Sequence, residues 1–180
     1  PALIDDHTPP PEHAKFSWKK LLMISAAGIA ITLISLLALA FFTDMHHPLT
    51  QMGWFFTKAA LLTFGGAYAV LPYVYQGAVT TYQWLTPEQM IDGLALGETT
   101  PGPLIIIVAF VGFVGGWTKE IFGASSLFAA GAAGALVATF FTFLPSFVFI
   151  LAGAPIVEST RNNIRLTAPL TAISAAVVGV

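Results

Sequence analysis

The segment Glu98–Pro103 has the sequence ETTPGP and interrupts an apolar part of the chain. Pro101 and Pro103 lack a backbone N–H, so a continuous helix cannot pass through them, and Gly102 allows a sharp turn between them. A half-helix that begins at Pro103 would direct its free N–H groups and its positive dipole end toward the break, which favours an anion. The segment therefore predicts either an anion site between two half-helices or a tight turn outside the membrane.

A second interruption, Gly65-Gly66, lies within the apolar stretch Trp54–Val79, and Pro72 follows it. In a helix each glycine costs about 1 kcal/mol relative to alanine, and an interior proline costs about 3 kcal/mol. Breaks of this kind persist in a membrane only where the freed backbone is buried in protein or lines a water-filled cavity. A Gly-Gly pair often serves only close helix packing. Two interrupted segments in one membrane unit, however, indicate a transport site.

The composition supports a membrane location. Hydrophobic residues make up 56% of the chain and charged residues only 9%, whereas a soluble domain has about 25% charged residues. The net charge of −2 gives no reason to expect a nucleic-acid partner. The chain has no cysteine, so a disulfide framework and a cysteine-based metal site are excluded. We predict no metal at the short loop Asp44–His47 and no cofactor.

The elements that must position the two breaks begin with a polar, proline-rich linker, Pro1–Lys20, followed by the uncharged run Leu21–Phe42. This run exceeds the ~20 residues that a membrane span needs, and the lysines before it place the linker in the cytoplasm. The domain predicted to follow covers residues 21–180. Because the final apolar run, Ala168–Val180, is too short for a span, we expect this domain to be truncated at its C-terminus.

Thr86-Pro87-Glu88 is typical of a helix start, with threonine as the N-cap and proline at the first helical position. The helix that follows and the apolar piece Leu104–Trp117 are each short for a span, which predicts two half-helices meeting at membrane depth. In the long apolar stretch Ile121–Ala154, Ala130 and Gly134 have the spacing of close helix packing. Tryptophans near the ends of apolar runs are predicted to be interfacial anchors: Trp18, Trp54, Trp84 and Trp117.

The sequence leaves the number of crossings open. Arg161 and Arg165 indicate that the loop Glu158–Arg165 lies in the cytoplasm. An even number of crossings must therefore separate this loop from Lys20. Four crossings satisfy this requirement, and so do two crossings combined with two re-entrant hairpins.

Two long motifs resemble the chromate ion transporter (CHR) family: Phe56–Pro72, with the sequence FTKAALLTFGGAYAVLP, and Asp92–Pro103, with the sequence DGLALGETTPGP. The resemblance is dense from about Trp54 to Trp117. It implies an all-α, polytopic fold with broken or re-entrant helices, in which this chain forms one half of an inverted repeat and most resembles the C-terminal half. The second homologous half would lie in the same chain or in a dimer partner.

The resemblance further implies a bacterial inner-membrane transporter, not an enzyme, that exports chromate as an antiporter coupled to protons and confers chromate resistance. Sulfate, also a tetrahedral dianion, is a natural competitor. The alternatives are a transporter of sulfate or another anion, and a membrane assembly subunit that transports nothing.

A dianion needs hydrogen-bond donors and positive potential, which predicts a substrate site formed by Lys58, Thr63, Gly65, Gly66, Thr99, Thr100 and Gly102. Lys58 can instead be a lysine whose ammonium group reaches the membrane interface. Glu98, beside the second break, is the predicted carrier of a coupled proton, or else a hydrogen-bonded helix end. Asp92 is a second, weaker candidate because it lies almost two turns earlier.

Overall fold

The structure is a computed structural model that describes residues 17–62, 67–100 and 104–160. Every regular element in this part of the chain is a helix, which confirms the all-α prediction. The chain divides into two compact units, Gly28–Ser146 and Pro1–Ala27 with Phe147–Val180. Both interrupted motifs belong to the first of these units. Most of the predicted linker and the terminal run Ala168–Val180 lie outside the described residues.

Two stretches of the described chain are long and apolar enough to cross a membrane: Trp18–Thr43, which is helix α1, and Ala124–Pro155. The second comprises a short 3-10 turn, Ala124–Ser126, and most of helix α6, Leu127–Thr160. Polar side chains in these helices bond to their own backbone. The Thr32 hydroxyl donates to the carbonyl of Gly28 over 2.9 Å, and the Thr142 hydroxyl donates to that of Ala138 over 2.7 Å. Each hydroxyl is therefore compatible with an apolar environment.

The first interrupted stretch forms helix α2, Pro48–Leu62, helix α3, Ala67–Tyr75, and a π-helical turn, Gln76–Thr81. Pro72 lies inside α3 and does not end it, so the predicted break at this proline is wrong. Pro72 stands only just beyond the first four residues, whose N–H groups have no partner within a helix. The proline therefore removes one hydrogen bond near the start of α3 and leaves the following turns intact.

α2 and α3 fold back on each other as a helical hairpin. The rings of Phe55 on α2 and Tyr73 on α3 are stacked, with centroids 4.9 Å apart. In one continuous helix, residues about 18 positions apart would be separated by about 27 Å. Gly77 in the π-helical turn also faces Phe55, because a Cβ at this glycine would overlap the phenyl ring. We call α2, α3 and the π-helical turn the first hairpin.

The second hairpin consists of helix α4, Pro87–Thr99, a 3-10 turn, Leu104–Ile106, and helix α5, Ile107–Thr118. α4 begins with a capping box: Gln89 N donates to the Thr86 hydroxyl, and Thr86 N donates to the Gln89 side chain. The predicted helix start is therefore confirmed. Gly93 on α4 packs against Phe110 on α5, where a Cβ on the glycine would stand 2.5 Å from the ring. This contact requires the chain to reverse between α4 and α5.

The two hairpins pack side by side. Gly115, near the end of α5, lies against Met52 at the start of α2 and against Trp84, which precedes α4. At the opposite end, α3 contacts the 3-10 turn Leu104–Ile106. Of the two arrangements left open by the sequence, two hairpins account for these contacts, and two continuous spans do not.

Trp84 is completely buried in the core of the paired hairpins. Its ring stacks on Tyr82 with centroids 4.6 Å apart and meets Phe55 edge to face at 5.5 Å. The prediction of an interfacial anchor is therefore wrong for Trp84, because the aromatic rings of Phe55 and Tyr82 pack against it in the core. Trp18, Trp54 and Trp117 are 68%, 53% and 42% exposed, and for them the interfacial role stays a prediction.

α5 and α6 approach each other backbone to backbone. A Cβ at Gly112 would overlap the carbonyl oxygen of Gly134, and one at Gly116 would overlap that of Ala130. The predicted close packing through Ala130 and Gly134 is confirmed. Its partners are two glycines of α5, four residues apart, which the spacing on α6 alone did not identify.

Candidate functional site

Four of the predicted substrate-binding residues lie outside the described residues: Thr63, Gly65, Gly66 and Gly102. The helices on either side of each motif are described, and they define what surrounds the two breaks. α2 ends at Leu62 and α3 begins at Ala67, whereas α4 ends at Thr99 and the next helical turn begins at Leu104. Each motif thus connects the C-terminus of one helix to the N-terminus of the next.

α3, the helix that follows the first motif, contacts the 3-10 turn Leu104–Ile106 that follows the second motif and leads into α5. A helix N-terminus presents unpaired N–H groups and a partial charge of about +0.5. Where two such ends meet, their potential attracts an anion without a permanent charge. The contact brings together the elements that follow the two motifs, and the anion site itself stays a prediction.

Thr99 and Thr100 lie at the opposite kind of helix end, the C-terminus of α4. The Thr99 hydroxyl donates to the carbonyl of Ala95 over 2.9 Å, and the Thr100 hydroxyl donates to that of Leu96 over 2.6 Å. Both hydroxyl protons are therefore engaged by the backbone, and only the oxygen lone pairs face outward. For either threonine to donate to an anion, its hydroxyl would have to rotate away from its carbonyl.

The two predicted proton carriers, Asp92 and Glu98, are both exposed on α4. The face of α4 that packs inward carries small residues, Gly93 and Gly97, which are buried. At the start of the same helix, outside the two long apolar stretches, the Glu88 carboxylate accepts hydrogen bonds from its own backbone N–H and from the Thr86 hydroxyl. These two bonds hold the pKa of Glu88 below its ordinary value.

Lys58 is the single lysine or arginine between Pro48 and Thr118. It is half-buried, and its ammonium nitrogen stands 5.7 Å from the centroid of the Trp54 ring, within the range of a cation–π contact. Among the described residues no carboxylate forms an ion pair with it. The lysine borders a recess of about 160 Å³ inside the first hairpin, between α2 and the π-helical turn.

Polar residues of the returning arm complete this recess, and the sequence alone did not indicate them: Tyr73, Gln76, Thr81 and Tyr82. Their juxtaposition with Lys58 depends on the fold-back of the hairpin and on the π-helical turn. No periodicity in the sequence predicts either of these features. The one local signal was Gln76 itself, an amide within an otherwise apolar run.

The loop Asp44–His47 serves the chain reversal between α1 and α2. The backbone N–H of His46 donates to the Asp44 carboxylate over 3.1 Å, and that of Leu49 donates to the His47 ring over 3.3 Å. The Thr43 and Thr50 hydroxyls, 2.9 Å apart, connect the two helices. In the part of the chain that the structure describes, no group of three metal-ligating side chains occurs.

The chain is similar to known transport proteins over most of its length. The family model for chromate transporters matches residues 50–180. A chromate transport protein of Pseudomonas aeruginosa is 43% identical over 122 residues, which cover 68% of this chain and 26% of that protein. A chromate transport protein of Cupriavidus metallidurans is 35% identical over 131 residues, which cover 73% of this chain and 29% of the relative.

A protein of Synechococcus elongatus named "Probable chromate transport protein" is 30% identical over 170 residues, which cover 94% of this chain and 38% of the relative. The chain thus spans well under half the length of these curated relatives. No solved structure matches it significantly. The family match includes nearly all of the first hairpin, the whole second hairpin and the whole of α6. This chain therefore belongs to the chromate transporter family.

Proposed function

We propose that the chain is part of a membrane transporter for chromate, a tetrahedral oxyanion. The observation that carries the proposal is the contact between α3 and the 3-10 turn at Leu104–Ile106, the two elements that directly follow the interrupted motifs. Transporters often bind anionic substrates at the N-termini of broken helices near the middle of the membrane. Similarity to relatives named as chromate transport proteins favours chromate among the anions that such a site could accept.

The hairpins suit a transport path because none of their helices is long enough to cross a membrane. α4 has 13 residues and α5 has 12, or about 20 Å each at 1.5 Å per residue, against a hydrocarbon core of about 30 Å. In the proposed arrangement the hairpins enter the membrane from one side and end within it. Irregular backbone at that depth requires surrounding protein or a water-filled cavity. The motif residues Gly65, Gly66 and Gly102 would then border the anion.

We propose export coupled to protons, with Glu98 as the proton carrier and Asp92 as the second candidate. Glu98 is in the last turn of α4, next to the motif that begins at Pro101. Proton release or uptake at this position would alter the charge beside the bound dianion. This change in charge would couple the proton gradient to chromate movement. Sulfate has the same shape and charge and is expected to compete.

The proposed location is the bacterial inner membrane, with α1 and α6 as crossings and the N-terminal side of α1 in the cytoplasm. A second homologous half, in the same polypeptide or in a dimer partner, would complete the path. The exposed apolar surface of α1 is available to lipid or to such a partner. Large side chains along it, such as Ile34 and Leu37, are 66% and 67% exposed.

Chromate uptake into inverted membrane vesicles tests this proposal. The full-length protein is expected to take up chromate when a proton gradient is imposed, and excess sulfate should inhibit the uptake. Collapse of the gradient with a protonophore should abolish it. Glu98→Gln should lower the uptake at least about tenfold, because the neutral amide cannot carry a proton.

Glu120→Gln is the matched control, since Glu120 is an exposed carboxylate in the loop after α5. It should leave uptake unchanged. Gly102→Leu, which places a bulky side chain at the second motif, should abolish uptake, whereas Gly153→Leu on α6 should not. Chromate uptake that is the same with and without the protein rules out the transport proposal. Uptake that is insensitive to the protonophore and to Glu98→Gln rules out the coupling mechanism alone.

A further inference from the structure

The recess beside Lys58 contains more free hydrogen-bond donors than a helix pair needs for its own stability. The Lys58 ammonium forms no ion pair, and the Gln76 amide and the hydroxyls of Tyr73 and Tyr82 form no hydrogen bond within the described part of the chain. These four groups come from both arms of the first hairpin. Lys58, Tyr73 and Tyr82 are half-buried, and Gln76 is exposed. Buried polar groups are normally paired, and the convergence of four donors without an acceptor in the described part of the chain favours a ligand.

The chemistry of the recess selects an anion. Its one charged group is Lys58, and no carboxylate lines it. The amide and hydroxyl groups supply neutral donors at the sides, and the Phe55 ring, in contact with Gly77, forms an apolar wall. The volume of about 160 Å³ compares with about 30 Å³ for one water in the liquid. A small oxyanion fits within it together with some of its hydration water.

The wall of this recess has a specific structural basis. Gln76–Thr81 is a π-helical turn, a rare conformation that occurs frequently at functional sites. The wider turn is closed by the Thr81 hydroxyl, which donates to the carbonyl of Gln76, five residues earlier, over 3.2 Å. This bond uses the Thr81 proton and leaves the side chain of Gln76 free to bind a ligand.

We propose that this recess is a second oxyanion site, separate from the proposed substrate site at the two motifs. Lys58 lies four residues before the end of α2, or about 6 Å along the helix axis. The site therefore lies farther from the connection between α2 and α3 than the motif residues do. This inference rests on the proposed transport of chromate: an oxyanion occupies this recess on its way to or from the substrate site at the two motifs.

The same donors recognise the phosphate of a lipid headgroup, so the experiment must separate a soluble oxyanion from a lipid. Binding of radiolabelled sulfate to the full-length protein, in lipid-depleted detergent solution, measures the soluble ion. Lys58→Gln is expected to weaken the binding of one sulfate per chain by about tenfold or more, the usual effect of losing a charged donor. Lys119→Gln, at an exposed lysine after α5, should bind as the wild type does.

Lys58→Arg keeps the positive charge and should therefore still bind sulfate. Retained binding in this variant shows that the loss in Lys58→Gln comes from the missing charge and not from misfolding. Gln76→Leu should weaken binding less than Lys58→Gln does. Native mass spectrometry of the same variants reports retained anionic lipid. If Lys58→Gln lowers lipid retention and leaves sulfate binding intact, the recess is an oxyanion site whose ligand is a lipid phosphate.

Unchanged binding of sulfate and of lipid in Lys58→Gln overturns the inference. This outcome is distinct from failure of the proposed function, because equilibrium binding requires no transport. If the wild type binds sulfate through Lys58 and does not transport chromate, the proposed oxyanion site is supported and the proposed chromate transport is refuted. If the wild type moves chromate and Lys58→Gln retains both sulfate and lipid as the wild type does, the transport proposal stands and the inference about the recess fails.

Discussion

The close packing of α5 on α6 gives the sharpest prediction for stability. At Gly112 an added Cβ would overlap the carbonyl oxygen of Gly134 and would stand 2.7 Å from the Cβ of Ala138. Real Cβ atoms essentially never approach other atoms so closely, and a helix backbone cannot move aside as a side chain can. Gly112→Ala must therefore separate the two helices or bend one of them. Overpacking of this kind costs about 1–3 kcal/mol.

The same substitution also favours the helix by about 0.5–1 kcal/mol, because alanine is a better helix former than glycine. Gly153→Ala isolates this second effect, since a Cβ at Gly153 meets nothing within 4 Å. We expect Gly112→Ala to be less stable than Gly153→Ala by about 1–3 kcal/mol. Thermal unfolding of both purified variants in the same detergent measures the difference. Equal midpoints for the two variants would refute the backbone contact between α5 and α6.

Two further substitutions test the second hairpin, and both are read from thermal unfolding. Thr86→Ala removes the N-cap that accepts from Gln89 N and should destabilise by about 1 kcal/mol, whereas Thr118→Ala, at an exposed threonine, should be neutral. A loss of equal size at both positions would contradict the role of the cap. Gly93→Ala should destabilise because its Cβ would stand 2.5 Å from the Phe110 ring, and adding Phe110→Leu should restore part of that loss through the shared contact. Strict additivity of the two changes would contradict the reversal between α4 and α5.

Local sequence patterns predicted the elements that depend on local physics. α1 was predicted from an uncharged run long enough for a span, and the structure extends it to Trp18–Thr43. The start of α4 was predicted from Thr86 and Pro87, because N-cap and first-turn preferences act within a few residues. The reciprocal bond, which Thr86 N donates to the Gln89 side chain, was not predicted, although a glutamine three residues after the cap is its usual signal.

The predictions that failed involve tertiary contacts. Trp84 lies at the end of an apolar run, where tryptophan commonly anchors a protein at the membrane interface. In the fold it is enclosed by Phe55 and Tyr82, which the hairpin brings from both sides. This outcome does not follow from the tryptophan alone, since it depends on Phe55, which lies far away in the sequence. Pro72 was counted among the interruptions of its apolar stretch, and it is tolerated inside α3 because it lies near the start of that helix.

The candidate site was predicted only in part, again because it depends on tertiary contacts. Two motifs that each break a helix were evident from glycine and proline, but the sequence left open whether they meet. The contact of α3 with Leu104–Ile106 brings the elements beside the two motifs together. The recess beside Lys58 needs both the fold-back and the π-helical turn at Gln76–Thr81. A π-helical turn has no reliable sequence pattern, so Gln76 could not be assigned a role beforehand.

The central claim is that both motifs are carried into the membrane by hairpins that open to the same side. Because the chain has no cysteine, single cysteines can report sidedness once any cysteine elsewhere in the full-length protein is replaced. The informative position is Pro87, exposed at the start of α4 between the hairpins. Met45→Cys and Phe122→Cys mark the loops before the first hairpin and after the second.

An impermeant maleimide applied to right-side-out and inverted vesicles gives the result directly. Two hairpins predict that Pro87→Cys is labelled from the same side as Met45→Cys and Phe122→Cys. Continuous spans would place Pro87 on the opposite side from both, since one crossing would separate it from each of these loops. Labelling of Pro87→Cys only from that opposite side would contradict the two-hairpin arrangement.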